Sequence, residues 1–298
     1  MEAFPNGPVR DGRYLSLGPA GPHSLAYKEW GSPTARKTSI CVHGLTRNSR
    51  DFDWIAASLV KAGDRRVICP DVVGRGDSDY LPPSSVHAYG YPQYINDATA
   101  LLTHLNIKAV DWIGTSMGGL IGMFLAAYSQ TPIRSLVLND VGPFIPKGAI
   151  EKLQNYVGKN LIFSSLSAVE EYVRCMYAPF GKLTDEQWRH MALHTARKIS
   201  GGYTLAYDQN IGEALRMIEA QDIDLWAIWD QVTCPVLVIR GAESDLLLPD
   251  TVREMQKRGP GRHGLVTAIE VTGAGHAPGL RASDQVDAIC SWLTQQAL

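Results

Sequence analysis

Six short apolar runs, at residues 39–42, 66–69, 109–113, 135–138, 235–239 and 266–271, alternate with stretches of helical pattern. Each run is mostly apolar on both faces. Strands of that kind belong in a parallel sheet covered by helices on both sides. The intervening pattern predicts helices at 53–62, 91–105, 117–128, 250–258 and 283–295. Such strand–helix repetition leads to a doubly wound α/β sheet with right-handed crossovers. Residues 24–30, followed by Gly31, Ser32 and Pro33, read as an antiparallel hairpin strand ahead of the parallel part.

One interval breaks this rhythm. Between residues 143 and 230 no run reads as a strand, and helical stretches appear at 149–157, 167–178, 184–198 and 210–219. The expected organisation is therefore a core made of residues 1–142 and 231–298, with a helical cap inserted at 143–230. The insertion holds eleven of the 25 aromatic residues in less than a third of the chain. These rings suit the cap's own core, and some suit the roof of an apolar pocket.

Composition narrows the function classes. Lys plus Arg is 28 and Asp plus Glu is 30, for a formal charge of −2. That balance provides neither a nucleic-acid footprint nor a polybasic membrane patch. The five cysteines, at 41, 69, 175, 234 and 290, are odd in number and form no C-x-x-C. They read as reduced thiols of a cytoplasmic protein. The N-terminal residues have no apolar leader segment. The longest uncharged apolar stretch, near 120–128, falls well short of a bilayer span.

Catalytic chemistry is first legible at Gly114-Thr115-Ser116-Met117-Gly118, which follows a strand and opens a helix. In this G-x-S-x-G pattern a serine sits on a strained strand-to-helix turn with its hydroxyl exposed. Gly114 and Gly118 leave room for the turn because neither has a Cβ. Ser116 is the expected nucleophile. The Met117 amide and the start of the helix would face an oxyanion.

The first parallel strand ends in His43-Gly44-Leu45. A glycine there lets the backbone turn toward the site, and the Leu45 amide is the expected second oxyanion donor. His43 reads as a loop-orienting histidine. Arg47, Asn48, Arg50 and Asp51 read as a solvated loop, with substrate contact by one of them as the alternative. The next strand ends in Asp71-Val72-Val73-Gly74-Arg75-Gly76-Asp77-Ser78. No phosphate-loop pattern is completed, so this is expected to be a tight turn shaping the pocket rim.

His276, in Gly273-Ala274-Gly275-His276-Ala277-Pro278 after the last strand, is the expected general base, since its ordinary pKa lies near neutrality. His190 and His194, one turn apart with Glu186 nearby, have spacing that could suit a metal. No further ligand is evident and H-E-x-x-H is absent, so a solvated helix face is expected and no metal. The acid partner of His276 should lie at the same sheet edge. Asp245, after the strand at 235–239, is the choice, with Glu243 and then Asp140 as competitors. Its task is to hold the imidazole tautomer and stabilise the imidazolium.

These motifs together resemble the α/β-hydrolase superfamily from about residue 24 to the end, with the insertion the loosest part. The chain order Ser116, Asp245, His276 matches that fold. HGLTRNSRDFD, DVVGRGDSD and GTSMGGLIGM look like bacterial carboxylesterases, some of which act on aliphatic polyesters or hydroxyalkanoate oligomers. Haloalkane dehalogenases and epoxide hydrolases of this fold use an aspartate at the elbow, so Ser116 disfavours both.

The expected function is hydrolysis of carboxylic esters of largely apolar substrates through an acyl-enzyme, with no metal or organic cofactor. The expected partner is a small ester, or an oligomeric or polymeric one. Meta-cleavage C–C hydrolases and lactonases can use the same triad and are the alternatives within enzymes. A ligand receptor on a hydrolase scaffold is the alternative outside them.

Overall fold

The computed structural model describes residues 10–296; residues 1–9, most of the segment read above as lacking a leader, lie outside them, as do 297–298. An eight-stranded sheet forms the centre. Its strands are β1 (Arg10–Gly18), β2 (Gly21–Trp30), β3 (Lys37–Val42), β4 (Arg65–Pro70), β5 (Val110–Thr115), β6 (Ile133–Asn139), β11 (Val236–Gly241) and β12 (Val266–Val271). Their spatial order is β1-β2-β4-β3-β5-β6-β11-β12. β1 pairs antiparallel with β2, and β2 with β4. The other pairs are parallel.

Burial explains the parallel part. Every residue of β11, Val-Leu-Val-Ile-Arg-Gly, is buried. A strand apolar on both faces is stable only between two helical layers. One layer contains α2 (Tyr91–His104) and α3 (Met117–Ala126), and the other α1 (Asp53–Lys61) and α10 (Ser283–Gln295). α9 (Pro249–Met255) follows β11. Nine of the ten residues of α3 are buried, so this helix lies inside the domain rather than on it.

β1 went unrecognised in the sequence. It alternates exposed and buried residues and carries Arg10, Asp11, Gly12 and Arg13, the pattern of a one-sided edge strand rather than a buried one.

Residues 143–230, the expected insertion, lie between β6 and β11 and add no strand to the eight-stranded sheet. They contain β7 (Phe144–Ile145), α4 (Lys147–Tyr156), α5 (Leu166–Met176), α6 (Asp185–Thr195), β8 (Ala196–Ile199), β9 (Gly202–Leu205), α7 (Asn210–Arg216), β10 (Ile223–Asp224) and α8 (Trp226–Trp229). β7 pairs antiparallel with β10, tying together the points where the chain leaves and rejoins the core.

The insertion is not wholly helical. The helix expected at 184–198 begins with a Thr184–Gln187 capping box but stops at Thr195. The chain then forms the β8–β9 hairpin. Gly201 and Gly202 have φ of 85° and 151°, conformations that side-chain-bearing residues avoid. The Ser200-Gly201-Gly202 sequence is the turn signal that the helical reading passed over.

Candidate active site

The carboxyl ends of β3, β4, β5, β6, β11 and β12 share one edge of the sheet, where α/β proteins place their sites. Ser116 lies there between β5 and α3, with φ 49° and ψ −113°. A non-glycine residue in that region costs about 1–3 kcal/mol and needs surroundings that hold it. Packing holds it here. A Cβ on Gly118 would come 2.1 Å from the Val42 carbonyl oxygen, and one on Gly114 would come 2.3 Å from the Gly118 backbone. The Trp112 indole of β5 donates to the Gly118 carbonyl at 2.9 Å. The Ser116 amide donates to Asn139 at the end of β6, also at 2.9 Å.

His276 follows β12 and reaches back across the edge. Its Nε2 is 3.1 Å from Ser116 Oγ, and its Nδ1 is 2.7 Å from Asp140 Oδ2. The imidazole is partly exposed and the Asp140 carboxylate fully buried. That carboxylate also accepts from the Gly241 amide at 2.7 Å and the Ser244 hydroxyl at 2.6 Å. Three donors compensate the burial of its charge. Asn139 donates to Thr115 Oγ1 and to the Pro278 carbonyl, linking β5 to the histidine loop.

Asp245, the expected acid, is not in contact with His276. It is exposed and pairs with Lys152 of α4. Glu243 is exposed as well. The residue in contact is Asp140, the third choice from the sequence. Two local conformations account for this. Asp140 adopts φ 56° as β6 ends, while its amide donates to the Ile239 carbonyl of β11. After β11 the chain turns so that Ser244, not Asp245, points inward to Asp140. Neither turn leaves a distinctive mark in the sequence.

Beside Ser116, the amides of Leu45 and Met117 have no acceptor among the described residues. The carbonyl of the peptide that carries the Leu45 N–H accepts from His43 Nδ1 at 2.8 Å and from the Arg47 amide at 3.1 Å. His43 Nε2 accepts from the Val72 amide. His43 is wholly buried, which pushes its pKa down to about 3; the Gly44 bond opposes the shift and nearby Arg75 adds to it. The ring is neutral, with its proton on Nδ1. It orients the loop, as expected.

A sequence profile described as "Alpha/beta hydrolase family" matches residues 40–289. The chain belongs to the alpha/beta hydrolase family. It is 43% identical over 271 residues to a 3-hydroxybutyrate-oligomer hydrolase of Cupriavidus necator, spanning 88% of this chain and 90% of that one. Among solved structures it resembles a putative hydrolase from Rickettsia typhi, with TM-score 0.87 and 33% identity over 96% of this chain and 99% of the other. It also resembles an alpha/beta hydrolase from Novosphingobium aromaticivorans, with TM-score 0.83 and 33% identity over 97% and 100%.

In this alpha/beta hydrolase the loop after Leu45 is not solvated. Arg47 is buried and donates to both oxygens of Asp51 and to Thr195 of the insertion. Its guanidinium lies 4.5 Å from the Tyr177 ring centroid. Asn48 donates to the His194 carbonyl, and Arg281 bonds both Asp51 and the Gln187 carbonyl. Burial favours a neutral Asp51, yet Arg47 and Arg281 hold its pKa down to about 2. The motif led only to a solvated loop or a substrate contact. Its long-range partners come from the insertion, which local sequence does not reveal.

The insertion also holds the other loops of the site. The amides of Gly275 and Gly279 donate to Pro179 and Phe180, and the Gly76 amide to Ala206. His190 is buried rather than solvated, with Nε2 2.8 Å from Asp53 Oδ2. Asp53, His190 and His194 each bring one potential metal-ligand atom within 4.8 Å of the others. Glu186, the residue considered with them from the sequence, is not in this group. Arg50 already occupies the Asp53 carboxylate. A cation would have to displace that guanidinium, so the cluster reads as a joint between α6 and the core.

All five cysteines are free thiols. Among the described residues no helix is long and apolar enough to cross a membrane.

Proposed function

We propose that this protein is a serine carboxylester hydrolase that cleaves oligomers of short hydroxyacids, with the insertion acting as a cap over the site. The observation that carries the chemistry is the continuous hydrogen-bonded line from Ser116 through His276 to Asp140. The similarity to a 3-hydroxybutyrate-oligomer hydrolase over nine-tenths of that protein supports the substrate class.

In this reading neutral His276 keeps its Nδ1 proton, hydrogen-bonded to the Asp140 carboxylate, and takes the Ser116 proton at Nε2 to become an imidazolium. Ser116 Oγ attacks the ester carbonyl. The Leu45 and Met117 amides receive the oxyanion, a contribution of about a hundred- to a thousandfold per donor in turnover. The imidazolium, stabilised by the buried Asp140 carboxylate, protonates the departing alkoxide oxygen of the neighbouring hydroxyacid unit, which leaves as a free hydroxyl. Water deprotonated by His276 then releases the acid. Every proton-transfer group is supplied by the chain, so neither a metal nor an organic cofactor has a step to perform. The free thiols fit a reducing cytoplasm.

Hydrolysis of 3-hydroxybutyrate dimer and trimer, and of p-nitrophenyl esters from C2 to C12, tests the reading when wild type and Ser116→Ala are compared. Oligomer turnover lost in Ser116→Ala is expected. Full activity in Ser116→Ala would refute the serine mechanism, and esters cleaved without any oligomer turnover would refute the substrate class.

A further inference from the structure

Arg75 lies between the two glycines of the turn after β4, and its side chain is fully buried. Among the described residues no carboxylate lies within ion-pair distance of it. A buried guanidinium without a counter-ion is expensive unless its donors are all used. Here Nε and Nη2 reach the oxyanion side of the site, and Nη1 is held behind it. Nε donates to the Leu45 carbonyl at 2.8 Å. Nη1 donates to the Val73 carbonyl at 2.6 Å and to the Tyr94 hydroxyl at 3.1 Å. Nη2 lies 3.6 Å from Met117 Sδ. The ring of Tyr94 also packs against the guanidinium, at 4.9 Å from its centroid.

We infer that Arg75 is a positioning residue of the oxyanion site: one buried guanidinium holds both the Leu45 and the Met117 segments and adds positive potential behind them. This rests on the reading of those two amides as the oxyanion donors. Two peptides flank Leu45. His43 and Arg47 hold the carbonyl of the preceding one. Arg75 holds the following one, so neither can rotate without losing a buried bond. The same side chain contacts Met117 across the gap between loop and elbow. A neutral side chain could take over part of the bonding but not the potential. In a water-poor site that potential acts with little screening on a charge that develops only in the transition state. The turn is also linked to the insertion, through the Gly76 amide to Ala206 and the Asp208 amide to the Gly74 carbonyl. Arg75 therefore connects the insertion's position to the donor geometry.

The test compares wild type, Arg75→Lys, Arg75→Gln and Tyr94→Phe in p-nitrophenyl butyrate hydrolysis and in inhibition by an alkyl trifluoromethyl ketone. Ser116 Oγ adds to the ketone carbon, its proton passes to His276, and the carbonyl π pair becomes an oxyanion. Arg75→Gln should lower kcat about a hundredfold with KM changed less than about threefold. Ketone affinity should fall by the same factor as kcat/KM. Arg75→Lys should fall between it and wild type. Tyr94→Phe, which keeps the ring but removes one bond to the guanidinium, should lower kcat and ketone affinity together by about three- to tenfold. If Arg75→Gln does not fold, Arg75→Lys and Tyr94→Phe carry the test. Unchanged ketone affinity in folded variants, or a loss borne by KM alone, would overturn the inference. Ser116→Ala runs alongside. If it kept full activity, the serine reading itself would fail; if it lost ketone binding while the Arg75 and Tyr94 variants kept theirs, only the Arg75 inference would.

Discussion

The Asp140 carboxylate lies 2.7 Å from Nδ1 of His276, although the two residues are 136 positions apart and follow different strands. Asp140 is fully buried, while Asp245 pairs with Lys152 in solvent. Asp140→Asn should lower kcat by about three to four orders of magnitude, because the amide no longer holds the required tautomer or stabilises the imidazolium. Asp245→Asn should leave kcat within about threefold, as expected on losing an exposed pair. Steady-state kinetics on p-nitrophenyl butyrate decide between them. The opposite ranking would return Asp245 to the site.

Gly118→Ala should damage the elbow. The added methyl would come 2.1 Å from the Val42 carbonyl oxygen and 2.9 Å from that of His43, and this backbone leaves little room to yield. A loss of about 1–3 kcal/mol in stability is expected from overpacking. Activity should fall further than stability explains, since any relief of the clash moves Ser116. Urea denaturation together with kcat measured well below the melting range separates the two effects.

Asp51 is shared by Arg47 and Arg281. Asp51→Asn would leave two buried guanidinium groups facing an uncharged amide, at about 3–5 kcal/mol by comparison with other broken buried pairs. Asp250→Asn breaks an exposed pair with Arg253 and should leave the urea midpoint unchanged. Equal, small shifts for both would show that the Arg47–Asp51–Arg281 group does not hold the insertion to the core.

His43 gives stability a pH dependence. Its pKa is about 3 in the folded chain against an ordinary 6.5. Between those values the unfolded chain binds a proton that the folded chain refuses. Its contribution is therefore complete above about pH 6.5 and is lost as pH falls toward 3, by up to about 1.4 kcal/mol per pH unit. His194, also pushed down to about 3 by burial and by Arg50, acts in the same direction. Urea midpoints between pH 7.5 and 4.5 should fall in wild type. His43→Asn should show a shallower fall from a lower starting stability; an unchanged slope would count against this role.

The sequence by itself determined the parallel sheet, the elbow and the histidine that meets Ser116. Apolar runs such as 235–239 can be buried only on both faces, and Gly114-Thr115-Ser116-Met117-Gly118 allows a turn that Cβ atoms would block. These are local constraints, so they show in local sequence. Tertiary structure alone decided which carboxylate meets His276. Asp140 and Asp245 both follow strands at one sheet edge, and the φ of 56° at Asp140 and the inward turn of Ser244 separate them. It also decided the partners of Arg47, Arg75 and His190. Each is a polar side chain in a loop or on a helix, and each is buried because a segment distant in the chain covers it. Which carboxylate meets which cation depends on how those segments pack, and hydrophobic periodicity carries no record of that.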